Sequence, residues 1–450
     1  MSKNVVLSLT ALVFLTGFMS QDDTRLAITN AVVVDGEGGA PLENGTVIIN
    51  GDRIQAVGPA RQIEIPPDAR VIDATGKTVL PGLADMHVHL VGGWDGHRVD
   101  MLGYQRYLNS LLYNGVTTIL DVGNVQPFIL QIRQEVSAGR IPGPRIYCAG
   151  ALVDGSDPAW PPISHVATSL GQIPKIAEGL KGAGVDVIKA YGGLSYRMVS
   201  ALAAEAKKVS LPLIVDQWSL NGSIDLMRTD MTAFAHLPAR TIDEEGLALM
   251  TSKGIRVITT LAVAEFGTRR RFDDFDFLRD PLIKDTTPPW FLEDLREEMS
   301  RPLTDAERSR VDRSKREFQL RKENAKKLLD AGVLLVAGTD TPYPGVFFGE
   351  GVHREMELLV EAGLTPLQAI SIATSNAAKL MHAEEEWGTL APGRLANLLI
   401  VNGRPDRRIS DTRNIETVVK AGVVPDRKAL QFVLEEDAGF RVGAPVSAPN

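Results

Sequence analysis

Along residues 25–79 apolar and polar residues alternate in short runs, "LAITNAVVVDG", "GTVIINGDRIQAVG" and "ARVIDATGKTVL". Period-two alternation buries one face of each run, so the pattern predicts strands, with Asn44-Gly45 and Asn50-Gly51 as turn signals. The same character returns only after residue 390, in "RLANLLIVNG" and "IETVVKAGVV". The two chain ends are therefore expected to combine into one small β-sandwich, from 21–80 and 388–437. Between residues 81 and 387 the pattern changes. Eight β-rich runs, "GLADMHVH", "VTTILDVG", "RIYCAG", "VDVIKAY", "LPLIVDQW", "MTAFAH", "RVITTLAV" and "VLLVAGTD", are separated by stretches of helical periodicity such as 195–209. Strand alternating with helix eight times predicts an α/β fold, a (β/α)8 barrel. After the seventh run, residues 265–325 form a connection longer than a barrel needs, highly charged and helical in pattern. It is expected to be a lid over the barrel mouth or an oligomer contact, which leaves a homo-oligomer open.

Other features of the chain adjust this picture little. The 450 residues allow a barrel plus a smaller unit, and 44% hydrophobic with 23% charged residues is ordinary for a globular protein. The net charge of -8 gives no reason to expect nucleic acid, so a small molecule or short peptide is the expected partner. The single cysteine, Cys148, rules out an intrachain disulfide and reads as a small buried apolar residue. At the start, Lys3, the apolar stretch from Val5 to Phe18 and the polar "QDDT" form the pattern of a secretory signal over 1–20. It is short for a membrane span, so export to a periplasmic or extracellular location is expected, with an uncleaved anchor as the alternative. Residues 438–450 read as a flexible tail.

In a (β/α)8 barrel, catalytic groups sit at the C-terminal ends of the strands, where polar residues should interrupt the apolar runs. They do so here: the first run ends in His87 and His89, the fourth in Lys189, the fifth in Asp216, the sixth in His236 and the eighth in Asp340. His87 and His89, two apart on an extended strand, share a face and can reach one ion. A lone buried Lys or Asp would cost several kcal/mol unless paired or bound to a metal. Tyr191, two beyond Lys189, shares its strand face and is a candidate for substrate contact, as is His165 in the long loop after the third run. The "RRRF" at 269–272 would attract a substrate carboxylate or simply form a solvated face. His382, near a helix end, reads as a surface residue.

The runs "VLPGLADMHVHL", "GVTTILDVG", "VDVIKAYGG", "AFAH", "AGTDTP", "EMELLVEAGLTPLQAISIATSNAAKLM" and "GTLAPGRLANLLIV" together resemble the amidohydrolase superfamily, in its imidazolonepropionase-like and prolidase-like branch. The resemblance implies a barrel with an appended β-sandwich, one or two divalent ions such as zinc, and hydrolysis at carbon, most often of an amide. It implies that His87, His89 and Asp340 hold one metal. Lys189, carboxylated by CO2 to a carbamate, would bridge to a second, served by His236. Burial favours a neutral amine, the form that takes up CO2. The ions would activate a water and polarise the carbonyl it attacks, with Asp340 passing the water's proton to the leaving nitrogen. Asp216 departs from the pattern, because the family usually ends its fifth strand with histidine. Three readings stay open: Asp216 is a ligand in place of histidine, the site keeps one metal, or the position has lost its metal role. Asn397, where aspartate is common, reads as a detail of the sandwich. A mononuclear zinc deaminase and a non-catalytic ligand-binding barrel remain as rivals, although Lys189 counts against the former. The substrate itself, whether a dipeptide, an N-acyl amino acid or a cyclic amide, has no readable code.

Overall fold

A computed structural model of the chain describes residues 25–92, 101–216 and 224–433. The expected signal segment, the tail and His97 lie outside the described residues. Among those described, no helix is long and apolar enough to cross a membrane.

Both chain ends build one seven-stranded sheet. β1 (Leu26–Val33) runs antiparallel to β2 (Leu42–Asn50), which pairs with β3 (Arg53–Pro59). The other edge of β1 is shared, its first half pairing with β4 (Arg70–Asp73) and its end with β5 (Lys77–Pro81). β5 then carries the C-terminal strands β16 (Leu398–Asn402) and β17 (Ile415–Val419). Backbone bonds from Ile54 N to Arg394 O (2.9 Å) and from Ala396 N to Asp52 O (2.8 Å) fold the β3 end back onto the chain entering β16. The sheet thereby encloses one apolar interior that includes Ile28, Val47, Ile49, Ile54, Val79, Leu398 and Ile400. One turn signal has a different outcome. Asn50-Gly51 joins β2 to β3, but Asn44-Gly45 lies inside β2 as an irregularity, with Asn44 at φ 51° and the register shifting on either side of Ala31. Asparagine tolerates the left-handed conformation, so the dipeptide serves a bulge as readily as a hairpin.

The barrel strands are β6 (Leu83–Val88), β7 (Val116–Asp121), β8 (Arg145–Cys148), β11 (Ile188–Ala190), β12 (Leu213–Asp216), β13 (Ala233–Ala235), β14 (Arg256–Ile258) and β15 (Leu335–Val336). These correspond to the eight runs read from the sequence. β8 continues past Gly150 into β9 (Leu152–Asp154), which pairs with β11 and carries the short edge strand β10 (Ser164–Val166). All strand pairs in the two barrel segments are parallel. The last strand meets the first through Met86 N to Ala337 O (2.9 Å), Asp340 N to His87 O (2.8 Å) and His89 N to Thr341 O (2.9 Å). Between β8 and β11, Asp186 N donates to Cys148 O at 2.8 Å. Inside the ring, Ala84, Met86, Leu120, Val187, Ile214, Ala233, Ala235, Ile258 and Val336 form one cluster. The alternate residues, such as Ile188, Val215, Phe234 and Val257, pack outward against the helices. Cys148 is buried, and burial pushes its thiol up to about 12.

Within residues 265–325, helices Pro281–Lys284 and Pro289–Ser300 contribute Leu282, Ile283, Leu295 and Met299 to the interior, and Phe272, Phe275, Leu278, Ile283, Leu295 and Met299 cluster around Phe347. The long helix Asp305–Asp330, begun by a Thr304–Glu307 capping box, instead packs Phe318, Ala325 and Leu328 into the main core. "RRRF" is not a solvated run: Arg270 pairs with Glu265 and Glu361, and Arg271 with the buried Glu350 at 2.9 Å. Glu350 and Arg413 lie 3.0 Å apart, and Arg413 also holds Glu357 at 2.6 Å and Asp280 at 2.8 Å, so insertion, barrel helix and C-terminal segment share one buried ion network.

The interface between barrel and C-terminal segment carries a pH-sensitive contact. His353, fully buried in helix Glu350–Glu361, contacts Thr412 Oγ1 through Nδ1 and the Asn114 carbonyl through Nε2, both at 2.9 Å. Burial, followed by the Arg413 charge, lowers its pKa to about 4. The unfolded chain binds this proton near pH 6.5 and the folded one near pH 4, so the stability His353 contributes is complete above about pH 6.5 and lost as pH falls through about 4. Equilibrium unfolding of His353→Gln is expected to show a shallower loss of stability across that window. An unchanged pH profile would contradict the assignment.

Candidate active site at the barrel mouth

The side chains singled out at the strand ends converge. Lys189, Asp216 and Asp340 keep the inward phase of Val187, Ile214 and Val336, standing two, two and four residues further along. His236 and Asp340 sit just beyond their strands at φ 69° and 61°. Non-glycine residues in that left-handed region carry strain and cluster at functional sites. On β6 a register shift between Asp85 and Val88 changes the phase ahead of His87 and His89. Gly338 makes room for this arrangement, because a Cβ there would lie 2.5 Å from Ile258 Cγ2 and 2.7 Å from His87 Cβ.

Asp340 Oδ1 lies 3.3 Å from both His87 Nε2 and His89 Nε2. Asp216 Oδ2 lies 3.3 Å from His236 Nε2 and 3.2 Å from Lys189 Nζ. Donor atoms of His87, His236 and Asp340 all fall within 4.8 Å of one another, which ties the two halves together. His89 joins this group through Asp340, and Lys189 joins through Asp216. Lys189 is completely buried, and its Nζ, although close to Asp216, has hydrogen-bond geometry to no acceptor; His87 Nδ1 is likewise unsatisfied.

Neighbouring groups fix the rings. His89 Nδ1 donates to the Gly123 carbonyl at 2.9 Å, which turns Nε2 towards Asp340. Gly123 is held in turn by Asp121, whose carboxylate accepts from Gly123 N (3.1 Å), Leu90 N (2.9 Å) and Asn124 Nδ2 (2.7 Å). His236 Nδ1 contacts Thr260 Oγ1 at 2.7 Å. Asp85 accepts from Thr339 Oγ1 at 2.6 Å and Thr339 N at 3.0 Å, bracing the approach to Asp340. Burial raises Asp85 to about 7 and Asp121 to about 6. It lowers His87 to about 3, helped by the Lys189 charge. For Asp340 the upward push of burial is outweighed by His87 and His89, and its carboxyl lies well below the usual range. For His89 burial is likewise outweighed, by Asp340, and its pKa rises.

Three imidazoles and two carboxylates facing one another are electron-pair donors that need positive charge among them. With a buried lysine nitrogen left unsatisfied, this donor set fits one or two divalent cations. The groups open onto a cavity of ≈ 290 Å³. Tyr191 and Tyr343 line it, whereas His165 does not: it is exposed on β10, with Nε2 3.0 Å from Gln126 Oε1. No described residue of 265–325 lines the cavity. Sequence reasoning missed Asp121, Thr260 and the pocket wall at Trp160. Only Asp121 had a usable signal, as another carboxylate ending an apolar barrel strand.

The amidohydrolase family model matches residues 78–229 and 297–424, more than half of the chain, and the chain belongs to that family. It is an enzyme of this class, related to hydrolases that act on carbon–nitrogen bonds. An imidazolonepropionase of Streptomyces avermitilis is 24% identical over 405 residues, 81% of this chain and 83% of the relative. An enamidase of Eubacterium barkeri is 36% identical over 93 residues, but the match spans only 20% of this chain and 23% of that relative's length. Among solved structures, a putative prolidase from Bifidobacterium longum superposes with a TM-score of 0.72 at 24% identity, covering 92% of this chain and 99% of the other. A Xaa-Pro dipeptidase gives 0.72 at 20% identity, covering 90% and 100%. At these identities the structural likeness concerns the fold.

Proposed function

We propose that the barrel mouth is a zinc-dependent hydrolytic site that cleaves an amide bond in a small substrate such as a dipeptide, an N-acyl amino acid or a cyclic amide. The observation that carries this reading is the convergence of His87, His89, Asp216, His236 and Asp340 on one cavity, with the buried Lys189 3.2 Å behind Asp216. His87, His89 and Asp340 would hold one ion. Lys189, Asp216 and His236 would hold a second, with Asp216 occupying the place the family gives to histidine. A divalent ion bound there supplies Lewis acidity, lowering the pKa of a water and polarising the scissile carbonyl.

The chain's own groups do the rest. Lys189 would take up CO2: the amine nitrogen would bond to the carbon with loss of a proton, and the resulting carbamate would offer two oxygens where an ammonium would face cations. The Asp340 carboxylate, which lies between His87 and His89 through Oδ1, would accept the proton of the attacking water on its other oxygen and return it to the amide nitrogen as the C–N bond breaks. The Gly123 carbonyl keeps His89 in the tautomer whose Nε2 is free to bind, and Asp121 keeps Gly123 in place. Burial, with the charges of Asp216 and Asp340, raises the pKa of Tyr191, so its hydroxyl remains a donor towards the substrate carbonyl. Zinc-loaded protein is expected to release free amine from members of a panel of dipeptides, N-acyl amino acids and cyclic amides. Ammonia release from amidines in place of amide cleavage would favour the deaminase reading.

A further inference from the structure

Apart from the donor cluster and the tyrosines, the described residues that line the cavity are apolar. Val91, Leu152 and Ile163 form a small hydrophobic cluster against which Trp160 and Tyr191 pack, and Pro161 and Pro162 complete the wall. This wall is built rather than loose. The carboxylate of Asp154, at the end of β9, accepts from Gly155 N (2.8 Å), Gly193 N (2.7 Å) and Ala159 N (3.1 Å), fixing the stretch that leads to Trp160 and tying it to the turn after β11. The Trp160 carbonyl accepts from Ser164 Oγ at 2.8 Å and Ile163 N at 3.1 Å. The indole Nε1 of Trp160 donates to the Tyr191 hydroxyl at 3.2 Å, which leaves that hydroxyl its own proton to give. The wall residue Trp160 and the cavity residue Tyr191 are thus joined.

We infer that residues 160–163 recognise an uncharged apolar group beside the scissile bond, so that the preferred substrates are neutral amides, open or cyclic, rather than compounds that carry a free carboxylate on that group. The inference rests on the hydrolytic reading of the site and narrows it. A carboxylate pressed against indole and proline rings loses its water and gains no partner, whereas an aryl or alkyl group buries its surface there. Trp160 is then a specificity-determining residue with two effects, as a wall and as the group that positions Tyr191.

Acetanilide and para-acetamidobenzoate share the same acetamide bond and differ by one carboxylate, so they separate the alternatives. On zinc-loaded protein, kcat/KM for acetanilide is expected to exceed that for the anion by about tenfold or more. Trp160→Arg should reduce or reverse the ratio, and Trp160→Phe, which keeps the wall but loses the N–H, should keep the preference while lowering kcat for both. Binding is read independently of turnover as tryptophan fluorescence quenching that disappears in Trp160→Phe. Quenching by acetanilide and not by the anion supports the wall even if neither compound is hydrolysed, an outcome that would count against the hydrolytic reading alone. Equal or stronger quenching by the anion, or an equal or greater kcat/KM for it, overturns the inference.

Discussion

Asp340→Asn is expected to lower kcat/KM by about 10³-fold, the middle of the range for removing a general acid–base group. Oδ1 of Asp340 lies 3.3 Å from two imidazole nitrogens, so one carboxylate would serve the donor cluster through Oδ1 and the proton transfer through its other oxygen. An amide of the same shape keeps the packing but cannot take a proton at neutral pH, and it is a poorer donor to a dication. The fold should survive, because the closing backbone bond from Asp340 N to His87 O does not involve the side chain. Thermal unfolding close to that of wild type, combined with this loss, is the expected pair of results. Turnover within about threefold of wild type would remove Asp340 from the chemistry, since that is far below the effect of losing a proton-transfer group.

Lys189→Ala is expected to lower turnover by roughly a hundredfold and to reduce metal loading at the half of the site containing Asp216 and His236. Lys189 is wholly buried and 3.2 Å from Asp216 without a hydrogen bond, a costly position for an ammonium whose only role is structural. Lys189→Arg separates the two roles, because it keeps a positive charge for Asp216 but cannot carry CO2 as lysine does. Loss of activity in both variants, with a CO2 adduct on wild-type protein in gentle mass spectrometry, is the result the proposed role requires. An active Lys189→Arg would reduce Lys189 to the ion-pair partner of Asp216.

Most of the architecture was legible because it rests on periodicity. All eight barrel runs became strands, and both ends entered one sheet, because alternation specifies which face is buried without reference to distant residues. The strand-end groups were legible for a related reason, as His87, Lys189, Asp216, His236 and Asp340 each interrupt an apolar run at the same height. Their pairing was implied by the family resemblance and not by periodicity. That Asp216 meets Lys189 and His236, while Asp340 meets His87 and His89, depends on the closure of β15 against β6 and on the left-handed backbone at His236 and Asp340. Asn44-Gly45 misled because a bulge and a hairpin ask the same conformation of asparagine. The charge of 265–325 did not reveal its partners within the chain: Arg270 and Arg271 are paired, and the aromatic residues between them and Met299 close on Phe347. The Trp160 wall had no signal, since Trp-Pro-Pro in a loop has no period.

The account is tested most directly by counting bound zinc while amide hydrolysis is followed on the same protein, first stripped with a chelator and then reloaded stepwise. The account predicts that hydrolysis vanishes with the metal and returns in proportion to the zinc bound, and that the combined His87→Ala and His89→Ala variant, folded, neither fills its site nor recovers activity. Undiminished hydrolysis by metal-free protein, or full zinc occupancy in that double variant, would contradict it.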